Sequence, residues 1–426
     1  MKKIMWEVAN LTLGNLKALG KWIAVSFFSG VICGLIGTLF HKSIEYVTEL
    51  RNANTWLLFV LPLCGLLIVL IYKLFRTQGQ STNDIIQAVN GGTDINLALL
   101  PSIFLSTILT HLGGGSVGRE GAALQMGGSV GYHVGKLMRL DDNDIRTATM
   151  AGMAAFFTAL FGTPIAATVF VLEVISVGVI YHAALIPCLG ASLIAYRFSD
   201  LFEVKPTRFF VDAPGFSLPL ILRIAVLGIL CAFVSIIFVG AIHKAEHLAE
   251  KYLKNEWVRA VVGGVIIILL TLIYGSQRYN GAGMGVIEEA LNGQVLPWDY
   301  LLKILFTAIT LAAGYRGGEV VPSFFIGAVF GCFVGPLLGI PAQFAAAVGL
   351  VSVFCGVVNS PLASIFLSVE LFGAQGLIFF AVACCMSYAF SGFSGLYSTQ
   401  KILFDKVKAV YINIYTNKKH HDNDLS

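Results

Sequence analysis

The stretch MAGMAAFFTALFGTPIAATVFVLEV, residues 150–174, has a counterpart in AVGLVSVFCGVVNSPLASIFLSVEL, residues 347–371. At an offset of 197, Gly152 meets Gly349, Phe157 meets Phe354, Pro164 meets Pro361, Ala166 meets Ala363 and Glu173 meets Glu370. A proline and a glutamate held in register inside apolar runs mark an internal repeat. The match extends upstream: Cys33 and Phe40 meet Cys231 and Phe238, and IIQAVNG (85–91) meets IEEALNG (287–293). GREGAALQMGGSVG (118–131) meets GGEVVPSFFIGAVFG (317–331), which sets Glu120 opposite Glu319.

The composition says where such a repeat can live. The 426 residues are 57% hydrophobic and only 12% charged, against roughly 25% charged in soluble domains. Uncharged apolar windows at 23–40, 56–72, 151–172, 224–242, 260–274 and 377–390 read as membrane spans. Shorter ones at 97–110, 183–196, 304–314, 324–340 and 345–358 read as partial, tilted or broken spans. The expectation is an all-α polytopic membrane protein of two inverted repeats with helices broken at mid-depth. Its divisions are a basic amphipathic segment (1–21), a first repeat (22–212), a second (213–400) and a short tail (401–426). Internal repeats of this kind put the substrate site at their interface near the bilayer midplane.

Lys2, Lys3, Lys17 and Lys21 precede the first span, and Lys401, Lys406, Lys408, Lys418 and Lys419 follow the last. Positive flanks place both ends in the cytoplasm and make the crossings even in number. The net charge of +4 is absorbed by topology, so nucleic acid is not an expected partner. No cleaved leader is read at the N-terminus. The eight cysteines lie in apolar segments without ligand spacing and read as small buried hydrophobes. No metal site or cofactor is expected. No HExxH, GxSxG or P-loop occurs, and Ser116 near His111 is too little for an enzyme.

Glycine and proline cluster at GQSTN (79–83), GGGSVGREG (113–121), FGTP (161–164), YNGAGMG (279–285), YRGGEVVP (315–322) and VNSP (358–361). Most lie where an apolar helix should begin. Irregular backbone at membrane depth is tolerated only where it lines a cavity or is buried in protein. A helix start offers free N–H groups and the positive end of its dipole. Several starts converging would hold an anion without trapping it as a lysine would. Tight helix packing is the other use of these glycines. It is the reading for the GxxxG pairs Gly127/Gly131 and Gly327/Gly331. A carboxylate just inside such a start can compete for the anion site when ionised and vacate it when protonated. Glu120 is therefore read as gate and proton carrier, and Glu319 as a proton acceptor beside it or a helix-end acid paired with Arg316. Arg119 is read as bonded to an acid or to loop carbonyls. Glu173 and Glu370 are read as structural groups. Ser81, Thr82 and Asn83 are either N-capping groups or anion contacts.

Four motifs in order resemble the CLC family of anion channels and anion/proton exchangers: GREGAALQ (118–125), FGTPIAATVFVLE (161–173), NSPLASIFLSVE (359–370) and SGLYSTQK (394–401). The likeness runs from about residue 22 to 405. It implies a dimer of inverted-repeat subunits, one pore each, with Glu120 the external gate and Tyr397 the internal one. Three departures from chloride-selective members resemble the fluoride-exporting branch: GQSTN without a proline, Ala122 after GREG, and Glu319 within GGEVVP. Val321 stands where that branch often has threonine. Val174 follows Glu173, so the inner proton glutamate of chloride exchangers is missing. The resemblance implies fluoride/proton antiport in the cell membrane, with a chloride channel or chloride/proton exchanger as the alternative. The implied anion contacts are Ser81, Thr82, Asn83, Gly118, Gly121, Val320, Val321 and Tyr397, with halide, protons and lipid as partners.

Overall fold

The structure, a computed structural model, describes residues 2–92 and 94–417, with side chains from residue 14 onward. The side chains of Lys2 and Lys3, and all of Lys418, Lys419 and the rest of 418–426, lie outside the described part. Sixteen α-helices among the described residues fall into two sets of eight. The first set is α1 (Lys2–Ala53), α2 (Leu61–Leu74), α3 (Thr82–Val89), α4 (Leu99–Leu112), α5 (Glu120–Leu137), α6 (Asp142–Phe161), α7 (Pro164–Val174) and α8 (Leu185–Leu201). The second is α9 (Leu218–Tyr252), α10 (Glu256–Tyr274), α11 (Met284–Leu291), α12 (Asp299–Ala312), α13 (Val320–Val334), α14 (Ala342–Val358), α15 (Pro361–Phe372) and α16 (Leu377–Phe390). The order of long, medium and short helices repeats: α3 and α11 have 8 residues each, and α4 and α12 have 14 each.

Among the described residues, five helical stretches are long and apolar enough to cross a membrane: 14–53, 55–74, 182–201, 218–252 and 256–274. They expose large apolar side chains such as Phe27, Leu39, Phe233, Ile237 and Leu269. Inside this jacket α5, α6, α13 and α14 are buried almost throughout. Protein, not lipid, surrounds the interrupted backbone, which is the condition for breaking a helix at depth. The glycines let these inner helices touch. A Cβ on Gly127 would lie 2.4 Å from the Gly152 carbonyl oxygen, and one on Gly327 would lie 2.3 Å from that of Gly349. The GxxxG pairs serve packing, as expected.

Several expectations are corrected. The window 151–172 is two helices, because Gly162 turns left-handed (φ 69°) and Pro164 opens α7. Proline suits a helix start because its missing N–H would go unused there. The repeat makes the same break with Asn359 (φ 57°) and Pro361. The partial span at 183–196 belongs to a full-length apolar stretch, 182–201. Residues 2–21 are helical and run without a break into the first span, within α1. The tail is not featureless. β2 (Lys401–Phe404) pairs in parallel with β1 (Ser176–Val177) and antiparallel with β3 (Tyr411–Tyr415). Two flank lysines have local partners besides any topological role: Lys21 pairs with Asp144, and Lys406 donates to Asn359 Oδ1 (2.5 Å) and Ser391 Oγ (2.8 Å). Seven cysteines are buried and free, but Cys385 is exposed.

The alignment of Glu120 with Glu319 is also corrected. Gly118 pairs with Gly318 in an isolated antiparallel bridge. The two inner helices start at Glu120 and Val320, with Arg119 and Glu319 as their N-caps. The true offset here is 200, so Glu319 matches Arg119 and Glu120 matches Val320. A one-residue slip around a helix start turns a side chain by about 100°, and the two acids accordingly face different spaces.

Candidate functional site

The site begins with the glycine bridge. Gly118 N–H donates to Gly318 O (2.6 Å) and Gly318 N–H to Gly118 O (2.9 Å). This brings the N-termini of α5 and α13 together. A Cβ on Gly318 would lie 2.5 Å from Gly121 N and 2.6 Å from Glu120 N. No larger residue fits without parting the two turns.

Glu120 fills the junction. Its side chain is fully buried. Its Oε2 accepts from Arg119 N–H (3.0 Å) at the start of its own helix and from Val321 N–H (3.2 Å) at the start of the other. Its Oε1 has no hydrogen-bond partner. One carboxylate thus occupies the free donors of two helix starts, the place that suits a small anion.

Two cavities adjoin the turns that hold this plug. The wider, about 630 Å³, is lined by His41, Arg51, His111, Arg119, Arg278 and Val321 among others. The narrower, about 120 Å³, is lined by Ser81, Thr82, Asn83, Gln125, Glu319 and Tyr397, together with Arg316, His243 and Glu246. The expected residues therefore divide. Ser81, Thr82, Asn83, Glu319 and Tyr397 share the narrow cavity. Gly118, Gly121, Glu120, Val320 and Val321 form the barrier, with Val321 also facing the wide cavity. His41, within α1, lines the wide cavity.

Individual roles sharpen. Ser81 caps α3: its N–H and hydroxyl both reach Asp84 Oδ2, at 2.7 and 3.0 Å. Thr82 Oγ1 accepts from Gln125 Nε2 (3.1 Å). Asn83 holds the end of the chain, accepting Thr399 Oγ1–H on its carbonyl at 2.9 Å and Thr399 N–H on Oδ1 at 3.3 Å. Tyr397 is buried and its hydroxyl has no partner. Glu319 Oε2 is likewise unpartnered, and a Cβ on Gly121 would come within 3.3 Å of it. Among the described residues Glu319 makes no ion pair with Arg316, whose guanidinium lies 4.3 Å from the centre of the Tyr72 ring. Arg119 does reach a carbonyl, that of Leu160, at 3.4 Å. Glu173 and Glu370 are structural. Glu173 accepts N–H groups of Leu362 and Ala363 at the start of α15, and Glu370 those of Ile165 and Ala166 at the start of α7.

Sequence reasoning missed several polar groups. Gln125 is the last letter of GREGAALQ, and an amide in a helix of small residues was the available signal. Lys303 is fully buried behind the wide cavity, donating to Ser116 Oγ (2.9 Å), Tyr279 O (3.1 Å) and Gly281 O (2.7 Å). It stands just before the apolar run at 304–314. It ties the glycine-rich loop 113–119 to the loop 279–285. Ser116, bonded there, is not poised against His111, whose Nε2 contacts Gly118 O at 3.3 Å.

The chain has known counterparts in sequence and in fold. A family model described as voltage gated chloride channel matches residues 64–392. The chain belongs to the CLC family. A "Chloride/fluoride channel protein" of Pseudomonas syringae pv. tomato is 32% identical over 399 residues, covering 92% of this chain and 88% of the relative. The "H(+)/Cl(-) exchange transporter ClcA" of Yersinia pestis is 27% identical, covering 87% and 84%. A solved CLC-type fluoride/proton antiporter matches with a TM-score of 0.86 and 33% identity over 90% of this chain and 98% of that one. A slow cyanobacterial Cl−/H+ antiporter shares the CLC fold, with a TM-score of 0.76 at 18% identity.

Proposed function

We propose that this CLC protein is a fluoride/proton antiporter that exports fluoride against an inward flow of protons. The observation that carries the reading is Glu120 Oε2 bonded to the N–H groups of Arg119 and Val321. An ionised Glu120 holds the anion's donors. Protonation weakens it as an acceptor and releases the junction to a halide, which then receives the same backbone N–H groups. Charge-assisted N–H bonds to an anion are short and strong, and fluoride, the smallest halide, profits most from close donors. The anion and the proton thus alternate at one place. Glu319, unpartnered across Gly121, exchanges the proton on the narrow-cavity side. Thr82 and Tyr397 meet the halide in that cavity, with Ser81 and Asn83 framing it. Gly118, Gly121, Val320 and Val321 supply the close backbone. Fluoride rather than chloride is favoured by Glu319 in GGEV and by the likeness, at 33% identity, to a solved structure named a fluoride/proton antiporter.

The reading includes a homodimer in the cell membrane with one pore per subunit. Residues 22–212 and 213–400 form its two repeats, and the segments 1–21 and 401–426 lie in the cytoplasm. The lysines near both ends support that orientation.

The test is flux from liposomes holding the purified protein, loaded with fluoride or chloride and followed by ion-selective and pH electrodes. Fluoride efflux with stoichiometric proton uptake is the expected result. Chloride flux without proton movement would replace the antiporter with a channel, and chloride flux with proton movement would replace fluoride with chloride. Absence of both fluoride and chloride flux would remove the transport reading.

A further inference from the structure

Glu319 is half-buried at the narrow cavity, and that cavity offers its proton one acid–base pair that reaches the surface. His243 and Glu246, on α9, line that cavity with Glu319. His243 Nδ1 lies 3.5 Å from Glu246 Oε2, with the two side chains 32% and 45% exposed. The cavity's volume of about 120 Å³ holds a few water molecules at the ~30 Å³ each occupies in the liquid. Glu246, His243 and Glu319 also lie close enough for their charges to interact. The other titratable or charged groups around the cavity are Arg316, Tyr315 and Tyr397.

The imidazole is set up to pass a proton through itself. Its Nε2 lies 3.2 Å from the Gly395 carbonyl, which can only accept, and 3.2 Å from the Asn417 Nδ2, which can only donate. The amide's orientation is fixed, because Asn417 Oδ1 accepts Gly395 N–H (3.1 Å) while its Nδ2 donates to Gly395 O (2.7 Å). Both neutral tautomers of His243 therefore have a partner at Nε2. A ring that can carry its proton on either nitrogen can take one at one nitrogen and release the other.

We propose that His243 and Glu246 form the proton port of the narrow cavity, loading and unloading Glu319. The inference rests on the antiport reading above. A proton from bulk water binds the Glu246 carboxylate or the His243 ring, crosses the cavity along water, and converts the Glu319 carboxylate to the acid. The port returns to its starting charge, and the reverse sequence discharges Glu319.

The experiment compares wild type with the double variant His243→Gln/Glu246→Gln and with Glu246→Asp, in liposomes loaded with fluoride at symmetric pH between about 5 and 8. A positioned proton carrier contributes a large rate factor when free protons are scarce, so the double variant is expected to exchange about tenfold more slowly at about pH 8. The deficit should close toward about pH 5, where hydronium supplies Glu319 directly, and Glu246→Asp should stay near wild type throughout. An equal deficit at every pH would make the pair merely structural and overturn the proposal. Wild-type rates in the double variant would also overturn it while leaving antiport standing. Wild-type liposomes that move fluoride without protons would overturn both readings.

Discussion

Four glutamates sit at helix ends inside this membrane protein, and they divide into two pairs with opposite designs. Glu173 and Glu370 cap each other's repeat. Each places both carboxylate oxygens on backbone N–H groups at the start of a facing helix, at 2.8 to 3.2 Å. Glu120 uses one oxygen for two helix starts and leaves the other without a partner, and Glu319 Oε2 has none. The surrounding chemistry is similar: each is a carboxylate at a helix end, with Glu120 and Glu173 buried and Glu319 and Glu370 half-buried. What differs is satisfaction. A carboxylate with both oxygens paired is expensive to move, because leaving would orphan buried donors and itself. A half-satisfied one loses less by moving or by taking a proton. The symmetric pair is fastened, and the asymmetric pair is poised.

The largest effect should come from forcing the poised region apart. Gly318→Ala drives a methyl to 2.5 Å from Gly121 N, so the bridge must open and the donors diverge. Loss of coupled flux in liposomes is expected, and retained exchange would show that the bridge does not set the site. Glu120→Ala removes the plug while keeping the donors. Anion flux should persist with proton uptake abolished, read as a stoichiometry; unchanged coupling would refute the gate. Glu319→Gln keeps the shape but cannot take a proton. Exchange should slow about tenfold, within the range set by proton transfer from positioned groups, and wild-type rates would leave Glu319 as a helix-end acid only.

The fastened pair was legible because it lies in the repeat itself, where Glu173 and Glu370 recur with Pro164 and Pro361 in one register. The poised pair was legible as letters, in GREG and GGEV, but not as geometry. Short glycine-rich motifs align almost as well at an offset of 199 as at 200, and only the Gly118–Gly318 bridge and the helix starts decide between them. The break at FGTP was visible as punctuation, yet the uninterrupted hydropathy of 151–172 outweighed it. The narrow cavity could not be read at all. It gathers α3, α5, α9, the turn before α13 and the segment around Tyr397, and no local pattern links residues so far apart. Asn83 illustrates this. Beside Ser81 and Thr82 it read as an N-capping group or an anion contact, and its bonds to Thr399, 316 positions away, had no local signal.

The sharpest test of the comparison is the variant expected to change coupling least. Glu173→Ala leaves the Leu362 and Ala363 N–H groups buried without their acceptor. Each hydrogen bond to a charged group contributes about 1.5–3 kcal/mol, and the lost acceptor adds desolvated donors. The helix dipole of α15 also loses its counter-charge. Destabilisation of about 3 kcal/mol is expected, read as a lowered melting temperature in detergent, and Glu370→Ala should match it because its geometry mirrors that of Glu173. The folded fraction, reconstituted at equal active protein, should keep the proton-to-anion stoichiometry of wild type, since neither acid touches either cavity's barrier. If Glu173→Ala instead uncoupled protons without loss of stability, the fastened pair would belong to the proton path, and the distinction drawn from satisfied and unsatisfied oxygens would fail.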